Sequence, residues 1–329
     1  MNNLRQRGIG AACKFGLGPT LMRLRSSAPP IVLMYHGVTD AAPGTTTDHD
    51  GKHVQLSLFR EQLKLLAGTR RVVPVATLVE TLAAGGETAG MLAITFDDGY
   101  LNNLTTAAPA LKDAGLPATF FLATGFLDER RWLWNDRIET TIFHTKRQDA
   151  QIDIAGEHVS LADVGARRDA LRKVKRKLKQ FHWRDAQKQV EDIARTLEVD
   201  APAPTGLHEF MTWDQARKLP DMGFTLGAHT VNHAILSRVP PEEAEREILD
   251  SRDRIVAMTG TCSTTFCYPN GKRADYTSQT VDFCREHFDA ALSAEYGPAN
   301  EPNLFEIRRV PVDNSTTPNQ LSKLILQAA

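Results

Sequence analysis

The feature that most constrains this chain is a rhythm: short apolar, β-rich runs recur between stretches patterned as amphipathic helices. The runs cover residues 31–35, 91–96, 118–123, 224–228, 264–268, 288–292 and 307–310. Between them, residues 58–67 carry Phe59, Leu63 and Leu66 on one side, with Ser57 placed to cap the helix. Residues 241–259 open with a proline and two glutamates and stop at Gly260, as a helix should; residues 104–114 and 280–287 read the same way. This alternation predicts an α/β fold, a mostly parallel sheet with helices outside, either open or closed as a barrel.

One region breaks the rhythm. Residues 128–204 form a charged insert with little strand signal, in which Leu161, Val164, Leu171, Val174, Leu178 and Phe181 recur at helical spacing. Arg167, Arg168, Arg172, Lys173, Lys175, Arg176, Lys177 and Lys179 fall mostly on other faces, and a second helix is expected over 185–197. Such a basic helix is either a solvated outer face or a site for an anionic partner, a membrane surface or a phosphate-bearing substrate. The expected organisation is a basic N-terminal arm or helix over 1–29 and one barrel domain over 30–329, with the helical insert at 128–204. A length of 329 residues accommodates it.

Charge excludes one class of partner. The net charge of -1 gives no general attraction to nucleic acid. Four cysteines at irregular spacing build neither a disulfide framework nor a zinc knuckle. The apolar N-terminal stretch is interrupted by Lys14 and Pro19, unlike a secretory signal, so the chain reads as cytoplasmic. Arg5, Arg7, Lys14, Arg23 and Arg25 allow that arm to rest on an anionic membrane face.

Chemistry gathers at strand ends. The run 91–96 leads directly into Asp97-Asp98-Gly99, and neighbouring side chains at the end of a strand diverge, so the two carboxylates can serve different centres. Alone, Asp-Asp-Gly also makes an ordinary β-turn. The run 224–228 leads into His229-Thr230-Val231-Asn232-His233, where two histidines four apart converge on one metal if the residues between them make a helical turn. Two imidazoles and one carboxylate, here His229, His233 and Asp98, leave positions open for water and substrate. That is the pattern of a catalytic metal, with Zn²⁺ favoured among divalent ions. Trp132 and Trp134 open the insert, where they either anchor a packed loop or stack on a sugar ring.

These segments resemble known motifs. Thr95-Phe96-Asp97-Asp98-Gly99 and His229-Thr230-Val231-Asn232-His233 resemble the first two motifs of the polysaccharide deacetylase family (NodB homology, carbohydrate esterase 4). The resemblance implies a distorted (β/α) barrel, seven-stranded, with its site at the C-terminal ends of the strands. It also implies Asp97 as general base and Asp98, His229 and His233 as metal ligands. Residues 266–271 resemble the third motif, which lines the groove and brings in Tyr268, Pro269 and Asn270 beside Trp134 as candidate substrate contacts. Two departures stand out. Cys267 occupies the place of an arginine that steadies the base, leaving Arg308 or Arg309 to compensate, and no C-terminal Leu-x-His supplies an acid. The start of the core, Ile31 to Val38, instead resembles the permuted poly-N-acetylglucosamine deacetylase branch, which implies His36 as the acid, kept protonated by a carboxylate or the open cleft. The implied function is removal of an N-acetyl or similar small acyl group from a sugar of a surface polysaccharide or its lipid-linked precursor. An O-acetyl sugar esterase and a non-catalytic glycan-binding protein are the rival readings.

Overall fold

All seven apolar runs form strands, and every pairing among them is parallel. They are β1 (Ile31–Tyr35), β2 (Met91–Phe96), β3 (Thr119–Leu122), β4 (Thr225–Ala228), β5 (Thr265–Cys267), β6 (Ala290–Tyr296) and β7 (Ile307–Pro311). In the computed structural model, which describes residues 2–25, 28–42, 48–152, 157–201, 203–300 and 302–328, they pair in sequence order. β7 then pairs with β1, and β1 with β2, so the sheet closes into a seven-stranded barrel. The short strand Arg71–Val72 adds to the outer end of β2 without interrupting closure. Because all strands run the same way, all seven C-terminal ends open onto one rim, where the active sites of such barrels lie.

Pairing register decides which residues face inward. Leu33 lies beside Ile94, and Tyr35 beside Phe96; this set packs outward on Phe59, Leu63 and Leu66 of the helix Leu56–Ala67. The alternate set, including Val32, Ala93, Phe121, Cys267, Leu292 and Ile307, fills a separate apolar cluster. The fit is tight at Gly227, where an added Cβ would lie 2.5 Å from the Phe121 ring.

Several expectations needed adjustment. The helix Leu56–Ala67 begins ahead of Ser57, which therefore does not cap it. The segment expected as a helix over 104–114 is a π-helical turn, Asn103–Ala107, followed by Ala108–Asp113. β6 starts later than the apolar run and continues to Tyr296. The insert holds an antiparallel hairpin, Asp149–Ile152 with Glu157–Ser160, that its composition hides. Its helices, Trp134–His144, Val164–Leu178 and Trp183–Thr196, pack around Ile138, Ile142, Leu171, Val174, Val190 and Ile193. Val164 and Phe181, assigned to that apolar stripe, are 54% and 38% exposed because the helix starts at one and ends before the other.

The N-terminal arm is two helices, Asn2–Lys14 and Gly18–Leu24. They are tied to the C-terminal helix Pro318–Ala328: the Gly18 amide donates to Asn319 Oδ1 at 3.2 Å, and Met22 is fully buried. Among the described residues no helix is long and apolar enough to cross a membrane.

Candidate metal and catalytic site

The inward set ends in charge. Asp97 follows Thr95 on the same side of β2, so its carboxylate points down into the barrel mouth. There it meets Arg309 of β7, which donates from Nη1 and Nη2 to the two carboxylate oxygens at 2.8 Å each. Arg309 is 1% exposed, and its other donors reach the Ser293 carbonyl at 2.8 Å and Thr95 Oγ1 at 3.2 Å. Burial alone would raise the Asp97 pKa, but Arg309 and then His229 outweigh it and hold the carboxyl below its ordinary value. Cys267 Sγ lies 3.6 Å from Asp97 Oδ1. The cation missing from the third motif thus arrives from a different strand, and Arg309 is the one of the two sequence candidates that supplies it.

Asp98 turns the other way. Its φ of 77° is left-handed, a conformation that costs a non-glycine residue energy and here swings the carboxylate to the rim. His229 and His233 converge on it, their Nε2 atoms 3.6 and 3.3 Å from Asp98 Oδ1. The histidines do not meet across a helical turn as expected. The segment is an irregular loop with left-handed Thr230 (φ 63°) and His233 (φ 52°). It is clamped by Glu247 of the helix Pro241–Thr259, whose Oε2 accepts from the Val231 and Asn232 amides at 3.0 and 2.8 Å. The Thr124 and Gly125 amides donate to the Thr230 and Val231 carbonyls at 3.1 and 2.8 Å.

The donor chemistry fits a divalent cation. His229 Nδ1 lies 2.7 Å from the Cys267 carbonyl, which fixes the tautomer so that the Nε2 lone pair faces Asp98. Burial, with His233 nearby, holds the His229 pKa down to about 4 against the pull of Asp97 and Asp98, keeping the ring neutral as a ligand must be. Asp98 Oδ1 is buried without a hydrogen-bond partner, an orphaned acceptor that a cation would satisfy. A second grouping, Asp97, His229 and Cys267, is also close enough to share an ion. It suits one poorly, because burial drives the Cys267 thiol well above its ordinary pKa and Asp97 is already saturated by Arg309.

His36 follows β1 at the same rim and feels both aspartates. Burial lowers its pKa more than Asp98 and Asp97 raise it, and Lys52 and Arg309 lower it further. This balance runs against the protonated resting state expected of a ring beside a carboxylate or in an open cleft. Beside it runs a buried polar network that sequence reasoning missed. Lys52 Nζ pairs with Asp136 and donates to the Tyr100 hydroxyl at 2.9 Å, while Tyr100 donates to Asp136 Oδ2 at 2.7 Å. Asp98 contributes to raising the pKa of both Lys52 and Tyr100, which places this network against the metal ligands.

The candidate substrate contacts divide. Tyr268 is 1% exposed, stacked on Tyr276 with centroids 4.2 Å apart, and its hydroxyl donates to the Phe305 carbonyl at 3.0 Å; it builds the wall. Trp134 is 4% exposed within the apolar cluster of the insert, and Trp132 Nε1 donates to the Ala201 carbonyl at 2.8 Å. Packing, not sugar stacking, accounts for these three rings. Pro269 is buried, whereas Asn270 is half-buried with a left-handed φ of 57° and an unpartnered amide nitrogen. Glu247 carried no sequence signal, because one glutamate on an amphipathic helix looks like any other.

Residues 84–285, more than half of the chain, match the family model described as polysaccharide deacetylase. Among solved structures, the Streptococcus pyogenes deacetylase PplD in complex with acetate aligns with a TM-score of 0.60 over 91% of this chain and 99% of its own, at 17% identity. IcaB from Ammonifex degensii aligns at 0.57 over 91% and 97%, at 15% identity. A de-N-acetylase from Aggregatibacter actinomycetemcomitans aligns at 0.56 over 90% and 99%, at 14% identity. Identities this low establish a shared fold and nothing finer. No curated protein matches the chain significantly in sequence.

Proposed function

The chain belongs to the polysaccharide deacetylase family, a family of hydrolases, and from that premise we propose that it removes N-acetyl groups from a sugar of a surface polysaccharide or its lipid-linked precursor. One observation carries the reading. Two adjacent aspartates are sorted into two environments, Asp97 onto Arg309 and Asp98 onto a histidine pair. A non-catalytic glycan binder has no use for that division, and the arginine missing from the third motif is supplied by Arg309.

Asp98, His229 and His233 would hold the cation, with Zn²⁺ the ion best suited to a mixed imidazole and carboxylate set. Such an ion supplies a polarised acyl oxygen and a more acidic water. The chain's own residues do the rest. Asp97, ionised and oriented by Arg309, accepts the proton of the attacking water. His36 donates a proton to the departing amine, and its lowered pKa makes it a readier donor once charged. The Lys52–Asp136–Tyr100 network fixes the rim around them.

We assign a further partner to the N-terminal helices. Phe15, Leu17 and Leu24 are 82%, 50% and 77% exposed beside exposed Lys14 and Arg23, a composition suited to the interface of an anionic bilayer. Sedimentation with phosphatidylglycerol vesicles, lost in Phe15→Ser/Leu24→Ser, tests it; equal sedimentation of the variant refutes it.

The deacetylase reading is tested by acetate release from N-acetylglucosamine oligomers together with metal analysis. Asp97→Asn is expected to keep stoichiometric metal and lose about 10²–10⁴ in rate, while His233→Ala loses tight metal binding. Full metal retention in His233→Ala and His229→Ala alike overturns the ligand assignment.

A further inference from the structure

The helical insert does more than pack. On its barrel side, the helix Val164–Leu178 and the turn after it border a groove of about 540 Å³ that Lys52 also lines. Six cations line it, Lys52, Arg172, Lys175, Arg176, Lys179 and Arg238, against two carboxylates, Asp50 and Asp275. Three of the cations have carboxylate partners: Lys52 on Asp136, Lys175 on Asp50 and Glu139, Arg172 on Asp169. The other three are left over. Among the described residues the Arg238 side chain donates only to neutral Gln180, at 3.0 Å, and Arg176 and Lys179 have no ion-pair partner. Burial pushes the Lys179 pKa down, with Lys175 adding to it, and the nearby Asp275 and Asp50 do not offset the loss of hydration. A merely solvated face spreads its charges outward; this one gathers them in a concavity.

The groove also leads to the reaction centre. Lys52 lines it and donates to the Tyr100 hydroxyl at 2.9 Å, and Asp98, the carboxylate among the metal ligands, is one of the charges acting on both. A groove so placed allows one molecule to set an anion there and its acetamido group at the site.

We infer that this groove binds the phosphate or diphosphate of an N-acetyl sugar phosphoester, so that the substrate is a phosphate-linked sugar rather than a neutral glycan. The inference rests on the deacetylase reading and deepens it. Phosphate is favoured over a sugar carboxylate on two grounds. With Asp50 taken up by Lys175, three cations without ion-pair partners outnumber the remaining groove carboxylate, Asp275, by two, which matches a group carrying two negative charges, and the two guanidiniums among them suit the bidentate geometry of phosphate oxygens. In an N-acetylhexosamine phosphate the anomeric ester and the acetamido group sit on adjacent ring carbons, which suits a phosphate groove that abuts the deacetylation site.

The test uses the full-length, metal-loaded protein at buffered free metal and two synthetic substrates. One is an alkyl N-acetylglucosaminide, the other the same sugar joined to the alkyl group by a diphosphate. The diphosphate ester is expected to have the higher kcat/KM by about 10-fold or more, through KM, and added salt should erode the difference. Arg176→Glu/Lys179→Glu should collapse that ratio, while Lys173→Glu, an exposed charge reversal off the groove, should not. Equal kcat/KM for the two esters, or a preference that survives the double reversal, overturns the inference. So does a double variant that loses binding to phosphatidylglycerol vesicles yet keeps the wild-type ratio, since the groove would then be a membrane contact. Acetate release from neutral N-acetylglucosamine oligomers with no gain from the diphosphate overturns the inference alone. No acetate from any of these substrates overturns the deacetylase reading beneath it.

Discussion

Replacing Arg309 with glutamine probes the interaction on which the base depends. The guanidinium holds Asp97 through two bonds of 2.8 Å, with both side chains nearly inaccessible at 1% and 4% exposure. Glutamine removes the charge and leaves Asp97 as a buried anion without a counterion. Removing one partner of such a pair costs about 3–5 kcal/mol, a large share of a typical stability of about 5–15 kcal/mol. The pH dependence fixes the sign. With Arg309 present, the Asp97 pKa lies below its ordinary value, so the stabilisation is present above that value and lost as pH falls through the lower folded one. Without Arg309, burial dominates and the folded pKa rises above the ordinary value, so the defect should be smaller at pH 5 than at pH 8. Urea unfolding of wild type, Arg309→Gln, Asp97→Asn and the double variant at both pH values measures this. The double variant should recover part of the loss, because the orphaned charge is gone, and in Arg309→Gln the acid limb of acetate release should move to higher pH. A loss below about 1 kcal/mol that is the same at both pH values, with an unmoved acid limb, would refute the reasoning.

His36→Ala should lower turnover by roughly 10²-fold and remove the alkaline limb of the rate profile; an unchanged profile would leave the proton donor elsewhere. Glu247→Ala frees the loop that carries His229 and His233, so metal affinity should fall about 10–100-fold while the barrel stays folded; equilibrium metal titration with far-UV circular dichroism decides. Burial lowers the pKa of His229 to about 4 and that of His53 to about 3. Unfolding lets both take up protons below about 6.5, so the metal-free protein should lose stability as pH falls from 6.5 towards 4. A flat urea midpoint across that window would contradict their burial as neutral rings.

The sequence by itself determined the repeating frame and the residues that matter most to it. Short, mainly apolar runs alternating with helical patterns announced seven strands in a mostly parallel sheet, and β1 and β2 were legible to the residue. Because parallel strands end at one rim, Asp97, Asp98, His229 and His233 could be grouped before any distance was known. Period-two alternation even explains why Asp97 points inward. Only tertiary structure decided how those groups are completed. Arg309 reaches Asp97 from a strand 212 positions away in the chain, and Glu247 grips the histidine loop from a neighbouring helix; neither contact leaves a local trace. The same holds for Tyr268 and Trp134, whose aromatic character suits a sugar platform or a core equally well until burial settles it. Local sequence encodes period, propensity and strand ends, because those are properties of one segment. Charge pairing, desolvation and the gathering of cations into a groove belong to segments brought together by folding, and their energies exist only once the barrel has closed.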